Sequence, residues 1–593
     1  MNGFDCGSGR TPQMASDDPR TSRDLLEGHR ARFCNSDGAP PQLPRSKWRA
    51  ALRPSVIAMI ASAAALAATL ASASAQFTSI TDFGDSYADT GSAPGGAFRM
   101  PGQPYYPNGP YSPTCEFPGR TNFVDSLQAI YHLPTAANYA IGGARTNDTN
   151  TISGLHGFTY ELAQFNGNHF TNGDLILLSI GGNDMSAIED PTRVHSRAIT
   201  SAAAEVAGVQ TLVAAGAHNI VIFGTGSSSF FPVPPVGPVT FPTYPNGVPF
   251  SDPQRDDWAD TCYQQTEQLL ALLAHSGVRI FLFDFAVLQA RLAVDPEQYG
   301  FSGTRCTAAF FQADIPVDPN CFYENSVHPT GAGMAVVAKD MANQIDAPTT
   351  VMSQGAIATS LATNFTSSAF GRLEAYRTLE QFDKGATSAI AATAPTKGLR
   401  TAAPENRWSV YGGANDSGGG GEQQFLAPGY NDNPVGGDLG LEYRVDPNLR
   451  LGAVFGYSAP DVNLNVQNAH DHIDSYQFAD CGSFTAANGF ADALVGYGRD
   501  QYALDRQGVI DVIHGATAAD VFTAVAQAGY LIDVGSIRVG PIAGLDYTHA
   551  FIHAYTETGD SLLTMVPSRH VLELADASSG DMRLSDHAAR SMI

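Results

Sequence analysis

Residues 77–346 alternate short apolar runs with longer stretches of helical period. Ser79 to Phe83, Leu175 to Ile180, Asn219 to Phe223 and Val278 to Phe283 are near-continuous apolar runs. Strands buried on both faces read this way. Arg197 to Ala215, Trp258 to His275 and Gly331 to Ile345 carry the spacing of amphipathic helices, the last just after Pro329. Strands alternating with helices predict an α/β domain, a parallel sheet covered by helices on both faces. Ser353 to Ala392 is rich in Ala, Ser and Thr, with Leu, Phe and Tyr at near-helical intervals. It predicts a long helix or linker.

From Trp408 the period changes to two, with many Gly and Tyr, as in Asp438 to Arg444, Leu449 to Tyr457 and Ile537 to Tyr547. Turns such as Val445-Asp446-Pro447-Asn448 separate the runs. One apolar face, one small or polar face and aromatic ends suit a transmembrane β-barrel strand. The alternative is a soluble β-sandwich. The pattern supports about eight to ten such segments, and it fades from about Pro567 to Ile593.

Composition narrows the setting. A chain of 593 residues is too long for one core, and two or three domains are expected. Net charge is -25 with only 15% charged residues, so nucleic-acid phosphate would be repelled and no nucleic-acid partner is expected. Lys47, Arg49 and Arg53 precede the apolar run Val56 to Leu70, and Ala73-Ser74-Ala75 follows it. That order reads as a signal peptide; a membrane anchor is the alternative, although the run is short for one. Residues 1–46 are polar, Arg-rich and without periodicity, and stand outside the fold. Cys115, Cys262, Cys306 and Cys321 fall in the α/β half, which suits an oxidising compartment. Cys306 and Cys321 flank a short Pro-rich loop and form one expected bridge, which would leave Cys115 with Cys262. The two other pairings stay open. Neither a Cys-x-x-Cys pair nor a Cys/His cluster suggests a metal site, and none is expected.

Four segments carry candidate chemistry. Phe83-Gly84-Asp85-Ser86-Tyr87 follows an apolar strand, and a serine nucleophile needs a base and a place for the developing oxyanion. Asn138 to Ala144 contains Gly142-Gly143, where backbone N–H groups can approach a ligand closely. Gly181-Gly182-Asn183-Asp184 follows a buried strand, at the strand end where α/β sheets place ligands. Ser326-Val327-His328-Pro329-Thr330 holds a histidine suited to general base work. Each alone is also an ordinary turn, cap or surface residue.

Together and in this order, the four blocks resemble those of the SGNH hydrolases, the GDSL esterases and lipases, over about residues 77–346. The resemblance implies a three-layer α/β/α sandwich and hydrolysis of carboxylic acyl esters, lipids included, with no cofactor. It implies that Ser86 attacks the carbonyl and that His328 relays the proton. The N–H groups of Ser86 and Gly143 and the Asn183 amide would form the oxyanion hole. One position departs from the family. Asn325 stands three residues before His328, where an Asp is usual, and Glu324 precedes it. Losing that charge in a Ser-His-Asp system can cost about 10⁴ in rate. Either Glu324 substitutes, or Asn325 gives a weaker enzyme, or a backbone carbonyl holds the ring. A catalytically impaired surface or adhesin-type protein on the same fold, and an acyltransferase or carbohydrate deacetylase, are the competing functions.

The second half resembles the translocator of autotransporters, and esterases joined to such a barrel form a subgroup. The implied organisation is an extension and signal peptide over 1–75 and a hydrolase passenger over 76–347. A helical linker over 348–405 and an antiparallel transmembrane β-barrel over 406–593 follow. That barrel reads as truncated, lacking the family's C-terminal aromatic signature, and poor insertion is expected. The route is across the inner membrane to the outer membrane and cell surface. The outer-membrane barrel assembly machinery is an expected partner. Pro101 to Pro118 and Phe230 to Phe250 are candidate loops over the pocket.

Overall fold

The computed structural model describes residues 77–91, 93, 121–133, 137–226, 251–274, 277–305, 320–323, 328–382, 407–415, 419–421, 430–433, 436–466, 468–534, 537–560 and 563–585. The expected signal peptide, both Pro-rich loops, Glu324 and Asn325 lie outside these residues.

The first half runs β1 (Ser79–Gly84), α1 (Phe123–Tyr131), β2 (Ala137–Asn138), α2 (Phe158–Phe165), β3 (Asp174–Ser179), α3 (Val194–Ala214), β4 (Asn219–Phe223), α4 (Asp252–Ala274), β5 (Arg279–Phe283), α5 (Phe285–Val294), β6 (Gly303–Arg305), β7 (Cys321–Tyr323) and α6 (Gly331–Phe382). Strands β1 to β5 form one parallel sheet in the order β2-β1-β3-β4-β5. The pleat divides the apolar run of β3 between two cores. Leu175 and Leu177 join Phe223, Phe283, Met334, Val337 and Met341 on one face. Ile176 and Leu178 join Phe158, Val206, Val209 and Leu270 on the other. Two helical layers on one sheet give the expected α/β/α sandwich. The chain steps outward from β1 to β2 and then back to β3. This creates a topological switch at the carboxyl ends of β1 and β3, where a ligand crevice forms.

The expected last hydrolase helix and the expected linker helix are one rod, α6. Pro348 lies inside it and removes one backbone donor, a cost of about 3 kcal/mol in a helix interior. Hydroxyls of Thr349 and Thr350 donate to the carbonyls of Asp346 and Ala347 there. Burial on both sides of the proline outweighs its cost. Met341 and Ile345 lie in the sandwich core, and Ile357 and Leu361 pack against the second half.

That second half comprises β8 (Trp408–Asn415), β9 (Gly419–Gly421), β10 (Tyr430–Asn433), β11 (Gly436–Arg444), β12 (Leu449–Ser458), β13 (Asp461–Leu464), β14 (His470–Ala486), β15 (Gly489–Gln507), β16 (Val512–Tyr530), β17 (Ile532–Val534), β18 (Ile537–Ile552) and β19 (His570–Ser585). They form one 12-stranded antiparallel sheet. β9, β10, β13 and β17 continue β8, β11, β12 and β16 across short breaks, so the segments make eight long up-and-down strands. Among the described residues, β8 pairs with β11 at one edge and β19 with β18 at the other.

The outer face of this sheet is unlike that of a soluble sandwich. The covered face, toward α6, sets Asp471, Ser475, Gln477, Ser483, Asp492, Asp500 and Thr523 among apolar residues such as Ile473, Tyr502 and Val521 that pack on the helix. The exposed face carries Leu439, Leu441, Leu451, Phe455, Phe478, Val495 and Leu545. An apolar outer face, with buried acids and amides among the residues turned inward, fits a barrel wall in lipid. The soluble β-sandwich alternative fails on this point.

The expected pairing of Cys115 with Cys262 is corrected. Cys262 is a free, buried thiol on α4, with Sγ 3.6 Å from the Ala198 carbonyl oxygen. It packs with Trp258 and Met185 as a small apolar side chain. Cys321 is disulfide-bonded, and neither Cys115 nor Cys306 is among the described residues.

Candidate active site

Ser86 is placed by the way β1 ends. Gly84 has φ of +130°, and a Cβ there would lie 2.0 Å from the Ser179 carbonyl oxygen. Only glycine accepts that conformation and that contact. Asp85 N–H donates to Ser179 O at 2.7 Å, and the N–H groups of Ala88 and Asp89 return to Asp85 O. The chain therefore turns sharply from strand into a helical turn, and Ser86 stands at its start.

His328 arrives from 242 residues away. Its Nε2 lies 2.8 Å from Ser86 Oγ, and both side chains are buried. Its neighbours fix it. Thr330 N–H donates to Phe322 O at 2.7 Å and its hydroxyl to Cys321 O at 2.9 Å. The same hydroxyl accepts from Gly333 N–H at 3.0 Å, capping α6. Tyr87 sets its ring edge against the imidazole, with centroids 5.7 Å apart. Burial pulls the imidazole down to about 3, so it is neutral at ordinary pH and its ring can accept a proton.

The two other blocks converge on the same strand ends. Ile141 N–H donates to Gly84 O at 2.9 Å, and Gly142 N–H to Asp89 Oδ2 at 2.6 Å. Gly143 follows at φ of +81°. The N–H groups of Ser86 and Gly143 have no hydrogen-bond partner among the described residues. Asn183 follows Gly181, itself at φ of +103°, after β3. Its Nδ2 lies 3.4 Å from Asp85 Oδ2. Asp85 is buried, also accepts from Ser179 Oγ at 3.1 Å, and is pushed up to about 7 by burial. The four sequence-predicted blocks thus meet at one place. Glu324 and Asn325 lie outside the described residues, and no account of their position follows.

Sequence reasoning missed the residues that brace these blocks. Asp184 accepts from Thr146 N–H at 3.0 Å and Thr146 Oγ1 at 2.6 Å. Arg145 Nε donates to Asn183 O at 3.2 Å. Together they join the Gly142-Gly143 loop to the Asn183 loop. Asp184 stood inside a quoted motif and was the one with a signal. Arg145, Asp89 and Glu161 had none.

The parallel sheet carries a serine–histidine pair at its topological switch, and the chain continues into an outward-apolar β-domain. Residues 83–336 match the GDSL-like Lipase/Acylhydrolase family and residues 408–571 the autotransporter beta-domain. The chain therefore joins a GDSL-type hydrolase domain to an autotransporter β-domain, and its place is the outer membrane or cell surface. Three solved structures are similar in part. The translocator domain of autotransporter NalP from Neisseria meningitidis has 17% identity and TM-score 0.28, covering 37% of this chain and 73% of that one. A lipolytic G-D-S-L family member from Veillonella parvula has 17% identity and TM-score 0.24, covering 44% and 94%. A putative arylesterase from Agrobacterium tumefaciens has 16% identity and TM-score 0.25, covering 45% and 98%. At such scores the assignment rests on the two family matches. No curated protein matches the chain.

Proposed function

We propose that the chain hydrolyses carboxylic acyl esters, lipids among them, at the cell surface through an acyl-enzyme on Ser86. The observation that carries this reading is the 2.8 Å contact between Ser86 Oγ and His328 Nε2. Ser86 Oγ bonds to the acyl carbon as its proton passes to His328 Nε2. The N–H groups of Ser86 and Gly143 and the Asn183 amide receive the negative oxygen. Collapse breaks the bond to the alcohol, which leaves with the proton from His328. Water then attacks with His328 again as base, the bond from the acyl carbon to Ser86 Oγ breaks, His328 returns the proton to Oγ, and the acid departs. Asn325, or Glu324 in its stead, is the proposed third member. The barrel assembly machinery of the outer membrane is the proposed partner for insertion.

The test is hydrolysis of a short-chain aryl ester by the full chain in outer-membrane vesicles. Ser86→Ala should lower kcat by at least about 10³-fold; unchanged turnover overturns the reading. Asn325 favours a second reading, a catalytically impaired surface protein on the same fold. A large gain in kcat for Asn325→Asp would support impairment, and no gain would count against it.

A further inference from the structure

Glu161 of α2 is fully buried, yet no step above uses it. Its Oε2 accepts from Gly84 N–H at 2.7 Å, and its Oε1 has no partner among the described residues. Burial pushes its carboxyl well above the usual range. An apolar side chain would fill the same space without that desolvation cost. The geometry accounts for the acid. The carbonyls of Asp82 and Gly84 accept from Tyr139 and Ile141, the continuation of β2. Regular parallel pairing would give Gly84 N–H a carbonyl on that same segment. β2 has only two residues, and among the described residues no carbonyl of its continuation takes that N–H. The N–H at the end of β1 takes the Glu161 carboxyl instead. An unmet N–H there would free the one residue whose φ turns the chain toward Ser86.

We infer that Glu161 is a positioning residue for the proposed ester hydrolysis, holding the Gly84 peptide so that Ser86 and the Gly142-Gly143 turn keep their mutual geometry. The inference rests on the ester-hydrolase reading for its kinetic consequence, though not for its structural one. Its hold is double. Gly84 N–H is bound by Glu161, and Gly84 O by Ile141, the residue before the turn. α2 is itself tied to that loop, since Phe158 N–H donates to Arg145 O at 2.9 Å. One carboxyl therefore links the nucleophile strand with the loop that offers Gly143.

The experiment compares the full chain with Glu161→Gln and Glu161→Asp. Gln keeps a carbonyl acceptor at the same reach; Asp is one methylene short. Gln should stay within about threefold of wild-type kcat, and Asp should lose about tenfold to a hundredfold, the range for a buried donor left unmet. KM should move little in either. Amide hydrogen exchange over residues 80–88 should quicken in Asp and stay unchanged in Gln. Wild-type kcat and exchange in the Asp chain overturn the inference, as does an equal loss in both variants. Should the Asp chain not fold, exchange in the Gln chain decides: retained protection supports the inference and lost protection overturns it. An inert wild-type chain would refute the hydrolase reading, while the exchange comparison would still judge Glu161.

Discussion

Two buried groups at the nucleophile titrate in opposite senses. The Asp85 carboxyl rises to about 7 and the His328 imidazole falls to about 3, both through burial. Native Asp85 holds a proton that the unfolded chain has released, so its contribution is full at low pH and is lost as pH rises through 7. Native His328 lacks a proton that the unfolded chain holds, so its contribution is present above about 6.5 and is lost as pH falls toward 3. Glu205, raised to about 8 by burial, acts with Asp85. Asp85→Asn should therefore reduce the fall in melting temperature between pH 5 and pH 8. An unchanged fall would contradict the burial account. At this scale the sequence was informative wherever a motif existed. Ser86, His328, Gly143 and Asn183 were legible because four turns recur in a fixed order. Glu161 was not, because an acid in an amphipathic helix looks like any solvated position until the strand above it ends early.

The site's rigidity depends on how two loops are joined. Asp184 receives two hydrogen bonds from Thr146, and Arg145 reaches Asn183 O and Ser186 Oγ. Asp184→Ala should lower kcat about tenfold, the worth of one or two buried bonds, with KM nearly unchanged. A loss confined to KM would show that these loops bind substrate without aligning the oxyanion donors. Four of the five sheet strands were foreseen, but α1, α2, α5 and the two-residue β2 were not, because elements of ten residues or fewer carry little periodic signal. α4 begins at Asp252, ahead of the expected Trp258, because its first turns are polar and carry no apolar period. The start signal was Ser251, whose N–H and hydroxyl both donate to Gln254 Oε1 at 3.0 Å. α6 ran past its expected end because tertiary burial overrode Pro348.

Across the whole molecule, one helix belongs to both halves. α6 leaves the His328 loop, crosses the sandwich core and lies on the inward face of the β-domain. Tyr555 accepts there from Gln354 at 2.8 Å, and Arg506, paired with Glu557 at 2.6 Å, donates to Asn343 at 3.1 Å. The hydrolase and the β-domain therefore share side-chain contacts as well as a linker. The period-two pattern foretold the strands. It could not say which face met solvent, since Leu-Gly-Leu alternation suits a sandwich or a barrel wall; the apolar residues left on the outer face decide.

A membrane-impermeant fluorophosphonate applied to intact cells tests the central claim most directly, because it needs both an activated serine and its display outside the outer membrane. The account predicts one adduct on the full chain, mapped to Ser86 and absent in Ser86→Ala. A folded chain at the cell surface that takes no label at Ser86 would contradict it.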